Sequence, residues 1–288
     1  MAAKSSVDGL WKYIKERENI RVLRACDEPW PWTKDKILQM YKFTNVQREY
    51  DRTSKIFKAL YEGHRTVSSA LLLYNCGVAR YFGTAEFYAR LGWQTSYDPT
   101  SIMRCARDMI EAGKPVFTRA YVITNGGLSM PKEEYVATHP LKALWHAKEE
   151  IVTAIHTHQR WQMGYEVLHK LDGFGGTGFM AKEVLMDYIQ FSPSLADWFT
   201  FTPVGPGALR GLGRIYYQNP NFKFNASVAQ GIIHNIWEVL RGPWQMLHPL
   251  ARPLSCSDVQ FCLCEYDKYE RTRLREGKPK NKYVRRDK

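Results

Sequence analysis

At 288 residues the chain can bury a sizeable core, as one large domain or two small ones. No run of 18 or more apolar residues exists, and the N-terminus lacks an apolar segment followed by a small-residue cleavage site, so neither a membrane span nor a secretory signal is expected, and the expected location is the cytoplasm of a host cell. The formal charge is +12, with ten Lys/Arg against three Asp/Glu between Lys268 and Lys288, which favours a polyanionic partner, most simply nucleic acid, over a merely solubilising terminus.

In chain order, residues 5 to 26 space Leu10, Tyr13, Ile14, Ile20 and Leu23 for a helix that breaks near Asp27. "DEPWPW" is extended, because each proline biases its predecessor away from helix. Residues 33 to 63 predict one long helix or two short ones, with Thr33 as N-cap and Asp35 in the first turn. Helix continues over 66–91. A further helix starts at Thr100 or Ser101 and stops at Gly113. "KPVFTRAYVITNGGLSMP" is β-branched and ends in Asn-Gly-Gly, which predicts a small hairpin. Residues 138 to 170 are helical again. A loop is expected over 191–213, a helix near "SVAQGIIHNIWEVLRG", and a last helix capped by Ser257. The fold class is mostly α: a single helical domain over 1–267, in one or two lobes, followed by a basic tail over 268–288.

Six cysteines lack disulfide-framework spacing and are expected to be reduced thiols. "CSDVQFCLC" has no CxxC pair and no nearby histidine, and His156 and His158 point to different faces of one helix, so no metal site is expected.

The chemistry-bearing signal is "KLDGFGGTGFMAKEVLMD", residues 170 to 187. Gly173, Gly175, Gly176 and Gly178 fall between two helical runs, Trp161–Lys170 and Ala181–Tyr188. Glycine allows close backbone approach, and a helix start offers unpaired N–H groups, so the turn suits an anion. No GxGxxG follows a strand and no GxxxxGK[ST] occurs, which argues against a Rossmann site and a P-loop kinase. Two helices joined by a glycine turn make a helix-hairpin-helix arrangement, which grips DNA phosphates without reading sequence. Leu171, Gly173, Phe174 and Gly175 match that motif's core, Thr177, Gly178 and Lys182 extend the expected DNA contact, and a plain helix connection is the bland alternative. Thr177 stands where the similar lyase-type DNA glycosylases carry a catalytic lysine, so Schiff-base chemistry is not expected. Such glycosylases also place an aspartate a little over twenty residues beyond the first hairpin glycine. Asp197 lies there, beside Trp198 and Phe199. A carboxylate in that setting can act as acid or base, or can simply cap a helix. Downstream, Gly205, Gly207, Gly211 and Gly213 with Arg210 and Arg214 read as a second anion cradle.

Five stretches together carry a family resemblance: "RACDEPWPWTKDKILQMYKFTNVQREYDR", "VFTRAYVI", "GFGGTGFMAKEVLMD", "PVGPGALRGLGR" and "DVQFCLCEYDKYERTRLREGKPK". The chain resembles the phage alpha-glutamyl/putrescinyl thymine pyrophosphorylases, or amino acid:DNA transferases, whose helical module also accompanies 5-hydroxymethyluracil DNA kinases. The resemblance implies a helix-hairpin-helix, DNA glycosylase-like fold. It also implies a step in thymine hypermodification: an amino acid or polyamine displaces pyrophosphate from the exocyclic methylene of an activated 5-hydroxymethyluracil in double-stranded DNA. The co-substrate is the amine, no cofactor is implied, and coupling to a separate DNA kinase is expected.

That reaction needs positioning, charge neutralisation and a base that deprotonates the ammonium. The candidate bases are Asp197, Glu265 and Asp267. Candidate groups for the pyrophosphate or an amino acid carboxylate are Asn45, Arg48, Asp51, Arg52, Gly205, Gly207, Arg210, Arg214 and Arg119. Asn45, Arg48 and Arg52 would share one helical face, with Asp51 paired to a neighbouring base; a surface ion-pair helix is the bland reading. Trp30, Trp32, Trp198 and Phe199 could wall a pocket for a flipped base. A glycosylase acting on a modified base, or a non-catalytic DNA-binding subunit, are the alternatives.

Overall fold

The computed structural model describes residues 2–64, 68–118, 121–192, 194–279 and 281–284. Thirteen α-helices run through the described residues: α1 (Ala2–Ala25), α2 (Lys36–Met40), α3 (Arg52–Glu62), α4 (Ser69–Phe82), α5 (Ala85–Leu91), α6 (Pro99–Glu111), α7 (Lys132–Thr138), α8 (Pro140–His158), α9 (Trp161–Leu168), α10 (Phe179–Tyr188), α11 (Pro206–Tyr217), α12 (Ala226–Leu247) and α13 (Cys256–Arg273). Short 3-10 turns lie at Arg48–Tyr50 and Ile189–Phe191. The mostly α reading stands. The expected hairpin over 114–131 is corrected, since the described residues there hold only turns around Gly126 and Gly127, both at positive φ. Arg119 lies outside the described residues.

The chain forms two compact units, one from residues 1–51 and 199–288, the other from residues 52–198. In the first, Leu10 and Ile14 of α1, Leu212 of α11, Trp237 and Trp244 of α12 and Leu263 of α13 belong to one core. Each such side chain, fully buried, contributes roughly 1.5–3 kcal/mol. In the second, α4 is central: Ala70 and every residue from Leu72 to Phe82 are buried. Gly77 lets α8 approach α4, because a Cβ there would lie 2.2 Å from Leu144 Cδ2.

Local capping explains where several helices break. Asp35, not Thr33, caps α2, accepting from the N–H groups of Ile37 and Leu38, and the helix lasts five residues before the chain turns extended at Tyr41. Of the two readings of 33–63, the pair of short helices holds: α2 and α3, joined by a strap over 41–51. The continuous helix expected over 66–91 breaks at left-handed Gly83, and that over 138–170 breaks at His139 and at left-handed Gln159. Asp98, not Thr100 or Ser101, caps α6, while Gly113 stops it as expected. Ser255, not Ser257, caps α13 through a reciprocal pair with Asp258. The expected tail does not begin at 268, because α13 continues to Arg273; Lys280 and residues 285–288 lie outside the described residues. Among the described residues, no helix is long and apolar enough to cross a membrane.

Candidate functional site

The strap from Tyr41 to Asp51 organises the polar side chains of the first unit. Its backbone has few partners of its own, so neighbouring side chains satisfy it. Arg17 of α1 donates to the carbonyls of Phe43 and Thr44 and to Asn45 Oδ1 (3.3, 2.9 and 2.8 Å). Glu265 of α13 accepts from Thr44 N–H at 3.1 Å, with Lys268 Nζ 2.5 Å from the same oxygen. Asp51 closes the strap: Oδ1 accepts from both nitrogens of Asn45 at 2.9 Å, and Oδ2 takes Arg48 Nε at 2.5 Å. The Arg48 guanidinium also stands 4.6 Å from the Phe261 ring.

Asn45, Arg48 and Asp51 are thus brought together, although not by the helical face expected: Asn45 is extended, Arg48 sits in the 3-10 turn, and Arg52 opens α3 in the other unit with its side chain exposed. Arg48, Asp51, Glu265 and Lys268 keep 15–24% of their side-chain surface open. Arg17 Nη1 is buried with no hydrogen-bond partner among the described residues. The cluster therefore offers two partly exposed ion pairs, Arg48 with Asp51 and Lys268 with Glu265, over a fixed backbone.

The remaining candidate carboxylates are committed elsewhere. Asp267 is 2% exposed and takes Arg210 Nε at 2.9 Å and Arg214 Nε at 2.7 Å. Two residues apart on α13, it and Glu265 leave the helix on different sides. Asp197, in the other unit, is 6% exposed; its two oxygens accept from the N–H groups of Trp161 and Gln162 at 2.9 Å each. It caps α9 and is not set in an open aromatic pocket. Trp198 is buried and donates to Ile189 O. Among the three, Glu265 alone keeps an oxygen, Oε1, without a hydrogen bond in the described residues.

The expected second glycine cradle is helix. Gly205 precedes α11, and Gly207, Gly211 and Gly213 lie inside it. A Cβ at Gly207 would fall 2.2 Å from Cys264 Sγ, and one at Gly211 would fall 2.4 Å from Leu263 O. These glycines let α11 lie directly on α13, which is close packing, not anion binding. Trp30 stacks on Tyr283 at 5.7 Å, and Trp32 lies edge-on to both.

In the second unit the glycine turn joins α9 to α10, as the sequence implies. Gly173, Gly176 and Gly178 take positive φ (79, 64 and 65°). Residues 175–177 are exposed, while Phe174 anchors the turn in the core. Tyr81 donates to Gly173 O at 2.6 Å. Among the described residues no carbonyl accepts from the N–H groups of Gly175, Gly176 or Thr177. Lys182 is a correction: it is 3% exposed, so its side chain does not reach a surface ligand.

Sequence reasoning missed one buried network entirely. Arg80 of α4 binds Asp187 of α10 through Nε (2.6 Å) and Nη2, and donates to Tyr121 Oη at 2.8 Å. Tyr121 in turn donates to Glu183 Oε2 at 2.9 Å. Burial pushes the Asp187 carboxyl up from its usual range, with Arg80 pulling the other way. A lone arginine within apolar "ALLLYNCGVARYF", and carboxylates four apart in "KEVLMD", were the available signals.

The stretches of resemblance thus meet by unit. Tyr121 and Glu183 join two of them in one; Glu265 to Thr44, Tyr269 to Asp35 (2.6 Å) and Arg214 to Asp267 join the other three. A family profile for the 5-hmdU DNA kinase helical domain matches residues 4–279. A 5-hmdU DNA kinase of Bacillus phage SP10 is 28% identical over 287 aligned residues, covering 89% of this chain and 43% of that protein. The chain therefore spans less than half the length of that relative. No solved structure matches it. With nearly its whole length matched, the chain belongs to the family of the 5-hmdU DNA kinase helical domain.

Proposed function

We propose that this protein is a phage thymine-hypermodification enzyme that transfers an amino acid or amine onto pyrophosphorylated 5-hydroxymethyluracil in double-stranded DNA. The carrying observation is Glu265: a partly exposed carboxylate whose Oε2 holds Lys268 and Thr44 N–H and whose Oε1 takes no hydrogen bond among the described residues, on the strap that Arg17 and Arg48 also hold, in a chain of the 5-hmdU DNA kinase helical-domain family. In this reading Glu265 Oε1 takes a proton from the incoming ammonium. The freed nitrogen lone pair attacks the exocyclic methylene carbon. The C–O bond to pyrophosphate breaks with its electron pair, and Arg48 and Lys268 balance the departing charge. The base must leave the stack to react.

DNA is held, in this reading, by the turn over 173–178 acting as a helix-hairpin-helix clamp within a glycosylase-like fold. The exposed N–H groups of Gly175, Gly176 and Thr177 support that role. A separate DNA kinase would supply the activated substrate.

The test is nucleoside mass spectrometry after incubating pyrophosphomethyl-uracil DNA with the protein and a panel of amino acids and polyamines. A heavier nucleoside with one amine is expected. An unchanged nucleoside with every amine overturns the reading, and an abasic product replaces it with glycosylase chemistry. DNA binding without product would favour a second reading, a module presenting DNA to a kinase; its support is that the SP10 relative is a kinase of which this region covers 43%.

A further inference from the structure

Helix α12 carries two apolar faces, and the core of the first unit uses one of them, through Ala229, Ile233, Ile236, Leu240 and Trp244. About 100° round the helix lies the second. Val228, Ile232, Asn235, Val239, Gly242 and Met246 follow one another at intervals of four and three residues and so form a single stripe. Val228, Val239 and Met246 keep 55, 58 and 84% of their surface open. Asn235 and Gly242 are exposed, Ile232 is half-buried, and nothing lies within 4 Å of where a Cβ on Gly242 would stand. Single exposed apolar side chains are ordinary. A stripe sustained over about three heptads is the pattern of a helix that packs on another helix.

The occupant follows from charge and register. In its 22 residues α12 bears two charged side chains, Glu238 and Arg241, and they pair with each other at 2.8 Å. The stripe itself holds no cation to neutralise a phosphate, so it suits a protein surface and not DNA. Its intervals, 4, 3, 4, 3 and 4, read the same in both directions. A second α12 lying antiparallel, about a two-fold axis between Asn235 and Val239, therefore meets the stripe at every level. Val228 then faces Met246, Ile232 faces Gly242, and Asn235 faces Val239. A large side chain opposite a glycine is the alternation that lets two helices interdigitate, and one asparagine in an apolar seam fixes register at a cost in stability. Such a helix is about 33 Å long and about 10 Å wide, so the pair buries on the order of 1,000 Å² in total, the lower bound for a specific interface. That area suits a weak, reversible dimer.

We propose that two copies of this chain pair antiparallel through the α12 stripe from Val228 to Met246. The dimer is independent of the transfer reaction proposed above. The test is analytical ultracentrifugation of the full chain from about 1 to about 200 µM, the range in which a minimal interface associates. A shift from monomer toward dimer is expected, stronger at high salt, which screens the repulsion between two chains of charge +12. Val239→Glu changes an exposed side chain, so it should keep the wild-type Tm while weakening the dimer at least about tenfold. Asn235→Val should tighten the dimer by about tenfold, because the polar layer is gone. In a Cys26→Ser background, which removes the exposed thiol, Val228→Cys and Met246→Cys chains should cross-link when mixed and not when alone. A chain that stays monomeric throughout overturns the proposal, as does a dimer that Val239→Glu leaves unchanged. Cross-linking within Val228→Cys alone overturns the antiparallel register. A monomer whose DNA affinity falls in Val239→Glu overturns the proposal and gives the face to nucleic acid.

Discussion

Asp187→Asn removes the anion from the buried network while leaving its cation in place. Arg80 and Asp187 are 4% and 3% exposed, and Arg80 cannot shed its proton. Breaking such a pair costs about 3–5 kcal/mol. Glu183, 3.6 Å from Arg80 Nη1, and the hydroxyl of Ser54 retain part of the compensation, so the lower end, about 3 kcal/mol, is expected. With a urea slope of about 2 kcal/mol/M, the midpoint falls by about 1.5 M. Arg80→Met behaves differently, because the stranded carboxyl can take a proton. Burial raises Asp187 in the fold and Arg80 opposes that rise; without Arg80 the rise is larger. The folded state then keeps a proton that the unfolded chain releases above about pH 4. Stability of Arg80→Met should accordingly be greatest in acid and fall, relative to wild type, as pH climbs from about 4 through the folded value. Urea titrations of both variants at several pH values, followed by tryptophan fluorescence, read this out. An Asp187→Asn midpoint within about 0.3 M of wild type, or an Arg80→Met difference independent of pH, would refute the account of this network as a true buried ion pair.

Gly211→Ala should cost about 1–3 kcal/mol in thermal unfolding, because its Cβ meets the Leu263 carbonyl at 2.4 Å and two helix backbones must part; an unchanged Tm would show that α11 and α13 are not so closely packed. Thr177→Asp places an anion at the exposed turn and should weaken DNA binding about tenfold with no loss of Tm, checked by anisotropy; unaltered affinity would remove the turn from the DNA contact. Asp197→Ala uncaps α9 and should lower stability by about 1–2 kcal/mol while product formation by the remaining folded protein persists; loss of product at full Tm would return Asp197 to the chemistry.

What was legible in the sequence was local. The glycine turn between α9 and α10 follows from positive φ at three residues, which only glycine adopts cheaply, so the signal is carried by the residues themselves. The helix break at Gln159 leaves no such mark, Gln159 being a non-glycine at φ 53°, whereas the break at His139 is marked by Pro140, which opens α8 and biases its predecessor away from helix. Gly205 to Gly213 misled for a related reason. A glycine every few residues looks like a loop, yet the purpose of Gly207 and Gly211 is set by Cys264 and Leu263, more than fifty residues further along the chain. Asp197 had the right residue type and spacing for a catalytic carboxylate. Its role as a cap depends on Trp161 and Gln162, which only the fold brings within 2.9 Å. The site around the strap was half legible: Asn45, Arg48 and Asp51 could be named, whereas Arg17 and Lys268 enter through contacts spanning 27 and 226 positions.

Glu265 has two jobs that one substitution separates. Its Oε2 fixes the strap through Thr44 N–H, and its Oε1 takes no hydrogen bond among the described residues. Glu265→Gln keeps an amide oxygen able to accept from Thr44, so Asn45, Arg48 and Asp51 stay in place. The lost attraction to Lys268, a partly exposed pair, is worth no more than about 1 kcal/mol. A glutamine, however, cannot take the ammonium proton, and removing a general base lowers turnover by about 10²- to 10⁴-fold. The expected signature is wild-type thermal stability and DNA affinity with transfer nearly abolished, partly recovered as rising pH deprotonates the free amine in solution. That recovery separates a missing base from a disturbed strap, since no change in amine protonation repairs a displaced Arg48. Full activity in Glu265→Gln at neutral pH would leave the strap a purely structural device and move the chemistry elsewhere in the molecule.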